Sequence, residues 1–280
     1  MSARLRGIAA ANAEIIEKGE YTTDDGTVVV IRPALDAAIS GTVSHPPEGP
    51  LGLPEDLPEP PAGRRTVIEV TAETSLACAR RLHRDGGERI AGLNFASARN
   101  PGGGYLGGAK AQEEDLCRHS LLLPCLLRAE DYYAAHRASP DLLYSHRVIW
   151  SPDVPVHRGE DGRLLAEPYQ VSFLTSPAPN AGAALRRDPS VRDRIPVVLA
   201  ERAERVLAVA AHHGARQLVL GAWGCGVFRN DPHQVAEAFH RHLTGDGRFA
   251  ATFERVVFAV WDRTANSVNR AAFAARFSTD

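Results

Sequence analysis

Two acidic side chains, Glu113 and Glu114, stand side by side at the end of a run that has few side chains of its own, Asn100-Pro101-Gly102-Gly103-Gly104-Tyr105-Leu106-Gly107-Gly108-Ala109-Lys110-Ala111-Gln112. Glycine lets main-chain N–H groups come close to a ligand and adopts φ > 0 without steric cost. Adjacent carboxylates are unfavourable unless they face water, a cation or a reaction. Taken apart, each half has a plain reading. A glycine run makes turns, and acids in the first turn of a helix offset its dipole. Residues 113–122 do read as a helix, with acids first and apolar positions after. Taken together, a phosphate cradle followed by an acid is what cleavage of a phosphorylated sugar needs.

A second glycine loop, Gly221-Ala222-Trp223-Gly224-Cys225-Gly226-Val227-Phe228-Arg229-Asn230-Asp231-Pro232, has its own logic. Gly224 and Gly226 free the backbone to aim N–H groups at an anion. Asn230 or Asp231 caps the helix that follows, Pro232 suits its first position, and helix N-termini attract phosphate. Phe228 offers a flat apolar face to a sugar or base. By itself this loop is a tight strand–helix connection with a core Phe; two such loops at equivalent sheet positions point to a diphosphate ligand. Cys225 lacks the flanking glycines of a nucleophile elbow, since Trp223 and Val227 occupy those places, so it reads as a small buried residue. His212-His213 and His240-x-His242 have neither zincin nor finger spacing and read as surface histidines near helix ends. Neither loop matches the dinucleotide or P-loop fingerprints, so no metal and no cofactor are expected.

The elements that must position these loops alternate. Residues 1–20 form an amphipathic helix with Leu5, Ile8, Ile15 and Ile16 inward and Gly19 as its stop, and 27–32 a short strand. Residues 44–61, dense in Pro, Gly and acids, are a surface loop, and too little core precedes them to make a separate domain. Strand 66–71 leads to a helix over 75–84 capped by Thr74, and strand 89–95 leads into the first glycine loop. A loop-rich section follows, with strand 147–151 and a hairpin around 159–162. Strand 169–175 runs into Ser176-Pro177-Ala178-Pro179-Asn180. The rest reads as helix 193–213 with Pro196 in its first turn, strand 217–222, helix 232–243, strand 255–261 and helix 266–277. This order predicts an α/β sandwich around a mostly parallel or mixed sheet, in which ligands gather where strands end and loops lead into helices.

Composition frames the rest. Hydrophobic content of 44% with 24% charged residues is that of an ordinary globular protein. The net charge of −2 argues against an electrostatic grip on duplex nucleic acid. Cys78, Cys117, Cys125 and Cys225 make no CxxC pair, and no secretory leader or apolar run of membrane-spanning length stands out. A cytoplasmic protein with free thiols is the expectation.

The combination of Gly102-Gly103-Gly104 with Gln112-Glu113-Glu114, preceded by Leu93-Asn94-Phe95-Ala96-Ser97-Ala98-Arg99-Asn100-Pro101, resembles the signature of the microbial poly(ADP-ribose) glycohydrolases, and the second glycine loop resembles their diphosphate loop. The likeness covers most of the chain and is weakest over 44–61 and around 147–163. It implies one macrodomain-like domain over 1–280, a three-layer α/β sandwich with a central mixed sheet, an N-terminal helical accessory segment over 1–43 and a Pro-rich loop over 44–63. It also implies hydrolysis of the α(1″→2′) ribose–ribose bond of poly(ADP-ribose), with the polymer and ADP-ribosylated proteins as partners and a monomer as the working form. Carried over by position, Glu114 is the catalytic carboxyl group, and Glu113 and Asn100 hold hydroxyls of the distal ribose. Gly102, Gly103, Gly104 and Gln112 line the substrate, Gly224, Gly226 and Val227 meet the diphosphate, and Phe228 packs on the distal ribose. Segments 179–180 and 262–266 are candidates for holding adenine. The alternatives are a non-catalytic ADP-ribose reader and a hydrolase of mono-ADP-ribosylated protein or O-acetyl-ADP-ribose. A phosphatase of ADP-ribose 1″-phosphate is disfavoured by the missing metal or nucleophile motif.

Overall fold

The structure, a computed structural model, describes residues 2–48, 65–264 and 266–278. Helix α1 (Ala3–Lys18) stops at Gly19, whose φ of 75° is the left-handed conformation glycine takes most easily. A small hairpin, β1 (Glu20–Thr22) with β2 (Val28–Val30), then leads to α2 (Arg32–Ser40) and β3 (Val43–His45). After β4 (Val67–Thr71) and α3 (Ser75–Arg84) comes β5 (Ile90–Phe95), followed by α4 (Gln112–His119), α5 (Leu122–Arg128) and α6 (Glu130–Ala138). Two long strands, β6 (Val148–Arg158) and β7 (Leu164–Ser176), form a hairpin before α7 (Ala181–Arg187) and α8 (Arg194–His212). The chain closes with β8 (Gln217–Leu220), α9 (Pro232–Leu243), β9 (Arg255–Ala259) and α10 (Val268–Phe277).

Among the described residues seven strands form one mixed sheet in the order β3-β6-β7-β5-β8-β9-β4. The pairs from β7 across to β4 are parallel, whereas β3–β6 and β6–β7 are antiparallel. Both neighbours of β5 are parallel to it, which explains its nearly unbroken apolar run. Side chains alternate across the sheet: Val256 and Phe258 of β9 pack with Leu199, Val206 and Phe239 of α8 and α9. Val257 and Ala259 face the opposite layer, with Leu82, Leu116, Leu126 and Tyr133 of α3–α6. Three layers result, as the sequence implies. A smaller cluster of Ile15, Tyr21, Ile31, Leu35 and Leu121 lies where the N-terminal segment meets the body.

Several elements differ from expectation. Strand 27–32 is shorter, because Arg32 opens a helix whose first turn accepts Pro33. β3 runs two residues into the segment read as a loop, the rest of which from 49 on lies outside the described residues. The helix that starts at the acids breaks at Ser120 and continues as two short helices. β6 runs well past 151 because a bulge at 151–154 absorbs Pro152, with Asp153 at φ 45°. The hairpin turn at 159–162 is present, with Gly159 N–H donating to Arg163 O (2.9 Å) and Gly162 at φ 84°. Thr74 caps α3 through Ala77 N–H (3.1 Å). Among the described residues no helix is long and apolar enough to cross a membrane.

Candidate active site

Both acids are buried, Glu113 at 3% exposure and Glu114 at 7%. They hold different partners. Glu114, in the first turn of α4, accepts from Gly104 N–H through Oε1 (2.8 Å) and from Ala111 N–H through Oε2 (2.9 Å). The carboxyl group therefore ties the glycine loop to the start of its own helix. Two of its four acceptor positions are used, which leaves positions for a proton to come and go. Glycine is required here by space as well as by angle. A Cβ on Gly103, at φ 59°, would lie 2.5 Å from Glu114 Oε1 and 3.1 Å from Glu113 Oε2. Gly102, at φ 70°, packs on Leu123 and on Cys117 Sγ.

Glu113 reaches back to the end of β5, where Oε2 accepts from Ser97 N–H (2.7 Å) and Oε1 from Asn94 Nδ2 (3.3 Å). Burial pushes its carboxyl group up to about 8, against the smaller opposing effect of these donors and with a further push from Glu114. The environment of Glu113 therefore favours the neutral form. Asn94 also donates to Thr175 Oγ1 (3.2 Å), whereas its Oδ1 is buried with no hydrogen bond among the described residues. Asn94 and Thr175 were not singled out by spacing. The one sequence signal is a polar residue inside the apolar run of β5.

The first loop departs from a phosphate cradle. Its N–H groups turn inward: Gly103 donates to Asn100 O (2.9 Å), Gly104 to Glu114, and Gly102 N–H supports Glu113. What the glycines offer is closeness, since any Cβ at Gly103 would crowd both carboxyl groups. Gln112 also lies differently from a substrate-lining residue. Its Oε1 accepts from Phe95 N–H (2.8 Å), and its Nε2 donates to Leu93 O (2.8 Å) and Ser75 Oγ (3.0 Å), so the side chain is committed to joining α4 to β5 and α3. Asn100 is exposed, and among the described residues its side-chain amide makes no hydrogen bond.

The second loop disposes of its N–H groups differently from the first. It leaves β8, the parallel neighbour of β5. The N–H groups of Trp223, Cys225, Arg229 and Asn230 are taken by carbonyls of Gly221, Ala222, Gly226 and Gly224. Those of Gly224, Gly226, Val227 and Phe228 have no acceptor among the described residues. A group of neighbouring unpaired N–H donors is an anion-binding concavity. Gly224, at φ 70°, could not be anything larger: its Cβ would meet Ala178 Cβ at 2.4 Å and Asn230 Nδ2 at 2.5 Å. Asn230, buried, pins the loop by donating to Pro179 O (2.8 Å) and Gly224 O (3.2 Å), while Asp231 caps α9 through His233 N–H (2.9 Å). Val227 is 83% exposed, so only its backbone is placed for a role.

Phe228 is half-buried, with its ring 6.0 Å from that of Tyr144. Tyr144 is in turn held by Arg202, a fully buried guanidinium that donates to the carbonyls of Pro177 (2.8 Å), Leu143 (2.8 Å) and Tyr144 (3.0 Å). Asn180, a candidate for the adenine pocket, caps α7 through Ala183 N–H (3.2 Å). In segment 262–266, Asp262 accepts from Thr264, and residue 265 lies outside those described. The Cys225 thiol is pushed up to about 12 by burial, the opposite of an activated nucleophile. Among the described residues no three His, Cys, Asp or Glu converge to hold a metal. His213 is not a plain surface residue: it stacks on Trp150 (4.5 Å, 3°) and its Nε2 meets His45 Nε2 at 2.8 Å.

Residues 9–159 match the family model of the microbial-type PARG catalytic domain, PARG being poly(ADP-ribose) glycohydrolase. The crystal structure of the Thermomonospora curvata enzyme is similar at 50% identity, covering 99% of this chain and 100% of that one, with a TM-score of 0.91. Its complex with the inhibitor ADP-HPD gives 51% identity, the same coverage and a TM-score of 0.89. The Deinococcus radiodurans enzyme in complex with ADP-ribose gives 47% identity over 89% of this chain and 99% of that one, with a TM-score of 0.82. A comparison with curated proteins returned no match.

Proposed function

The chain belongs to the microbial-type poly(ADP-ribose) glycohydrolases, and from that premise we propose how its residues divide the work. The activity is hydrolysis of poly(ADP-ribose) with release of ADP-ribose. In our reading Gly224, Gly226, Val227 and Phe228 grip the diphosphate through their four unpaired N–H groups, and the Phe228 ring packs on the distal ribose. Asn100 and Glu113 hold ribose hydroxyls, and the bare surface of Gly102–104 lets the sugar approach the acids. Gln112 acts one step removed, by fixing where α4 begins.

Cleaving a ribosyl bond builds positive charge on the sugar, in an oxocarbenium-like state, while the leaving oxygen needs a proton. Glu114 supplies that proton to the bridging 2′ oxygen as the bond to C1″ breaks. As carboxylate it then takes a proton from the water whose oxygen joins C1″, which restores the starting state. A neutral Glu113 suits this division. It can share hydrogen bonds with a hydroxyl without placing a second negative charge beside the diphosphate.

The observation that carries the reading is the Gly104–Glu114–Ala111 clasp, which fixes a buried carboxyl group against the glycine loop. Its test is Glu114→Gln assayed on poly(ADP-ribose) for free ADP-ribose. Turnover is expected to fall by about 10²–10⁴-fold, the usual contribution of general acid–base catalysis, with ADP-ribose binding retained. Near-normal turnover would remove Glu114 from the chemistry. We further take 1–280 as one catalytic domain that acts as a monomer on the polymer and on ADP-ribosylated proteins. The four free cysteines fit a cytoplasmic setting.

A further inference from the structure

Asn12 is a polar residue on the buried stripe of α1, and its amide is saturated. Nδ2 donates to Tyr105 Oη (3.0 Å), Arg118 O (2.9 Å) and Cys117 O (3.3 Å). Oδ1 accepts from His157 Nε2 (3.0 Å) and Arg158 Nη2 (2.9 Å). Carbonyls only accept and a guanidinium only donates, so the amide has one possible orientation. Burial holds His157 neutral, down to about 3, and a neutral ring can donate from Nε2.

Tyr105 follows Gly104, the residue whose N–H holds Glu114 Oε1. It is buried, and among the described residues its hydroxyl has no hydrogen bond other than the one from Asn12. The loop beyond it is pressed between two helices. On the α1 side, Gly108 lies so close that a Cβ would be 2.9 Å from Ser2 O and 3.4 Å from Leu5 Cβ. On the α4 side, Arg118 Nη1 donates to Ala109 O (2.7 Å), and Ala109 N–H closes back on Gly104 O (3.1 Å).

We propose that Asn12 is a positioning residue for the hydrolysis: by fixing Tyr105 it fixes the Gly104 N–H against Glu114, so the N-terminal helix sets the aim of the reacting carboxyl group. The proposal rests on the reading of Glu114 given above. Asn suits the place because Asp could not donate to two carbonyls and Ser could not span from α1 to both the loop and β6. Loss of the link leaves the diphosphate loop untouched and loosens only the acid, and misplacing a reacting group by about 1 Å can cost about 10²-fold in rate.

The test uses the full chain. Tyr105→Phe removes one hydroxyl and leaves Asn12 its two carbonyl acceptors. Asn12→Ala removes the hub, and the double variant completes a cycle. Each is measured for kcat and KM on poly(ADP-ribose), Kd for ADP-ribose by calorimetry, and Tm. Tyr105→Phe is expected to lower kcat by about three- to tenfold with Kd within about twofold. The double variant should have the kcat of Asn12→Ala alone, because both changes break one link. Tyr105→Phe with unchanged kcat, or kcat losses that multiply in the double variant, would overturn the proposal. Should Asn12→Ala fail to fold, Tyr105→Phe decides by itself. Glu114→Gln measured alongside separates the two readings. If it keeps turnover, the premise fails and the proposal with it; if it is inactive while Tyr105→Phe is normal, only the positioning role is lost.

Discussion

Glu113 offers a test that needs no substrate. Burial moves its carboxyl group from the ordinary 4.5 to about 8. Between those two values the folded chain keeps a proton at Glu113 that the unfolded chain has lost, so the contribution of Glu113 to stability falls as pH rises through that window, whatever the other groups do. Each pH unit of displacement is worth about 1.4 kcal/mol. The whole displacement is therefore on the order of 4–5 kcal/mol, fully expressed only above pH 8. Glu113→Gln removes the titration and keeps the shape. The introduced carbonyl can accept from Ser97 N–H, and the introduced amide N–H can reach Asn94 Oδ1, which is unpaired in the wild type, after the Asn94 amide turns over. The assay is thermal melting of both proteins from pH 4 to pH 9. For a chain of this size 1 kcal/mol moves Tm by about 2 °C. The variant should match wild type near pH 4 and exceed it by several degrees at pH 9, with about 10 °C as the ceiling. A difference that stays flat across the window would show that Glu113 titrates like an exposed acid and would remove the argument for a neutral partner beside Glu114. The same variant should also turn over more slowly, through lost positioning of the ribose.

Two further substitutions probe the two loops. Gly103→Ala places a methyl group 2.5 Å from Glu114 Oε1 at φ 59°; turnover should fall by about 10²-fold, with a stability loss of about 1 kcal/mol or more. Normal hydrolysis by that variant would mean the carboxyl group has freedom the clasp does not show. Phe228→Ala should lower kcat by about tenfold while the Kd for ADP-ribose, measured by calorimetry, changes by less than about threefold. Unchanged kcat would leave Phe228 as a packing residue beside Tyr144.

What could be read in the sequence was what is written locally. The glycines and acids of 100–114 carry their own meaning, and Thr74, Gly19 and Gly159–Gly162 mark ends and turns through rules that involve only neighbours. Tertiary pairing hid the rest. Gln112 resembles a ligand-facing polar residue until the partners Phe95, Leu93 and Ser75 come to it from two other elements. Asn12 meets partners 93 to 146 residues away, and the only local hint is a polar side chain on the stripe that also carries Leu5, Ala9 and Ile15. Pro152 reads as the end of a strand because nothing nearby announces the bulge that accommodates it. The inward turn of the first loop's N–H groups was hidden for a related reason: a glycine run looks the same whether its donors serve an outside anion or the protein's own carboxyl groups.

The acid-bearing loop and the donor-bearing loop spring from β5 and β8, which are hydrogen-bonded neighbours. At their roots the spacing is therefore that of adjacent strands, about 4.8 Å, a length no rotamer change can alter. In the proposed division of labour the sheet acts as a ruler laid between anion and scissile bond. A ligand whose charged group and reactive carbon are spaced differently would meet one loop and miss the other, so chain topology filters substrates before any side chain does.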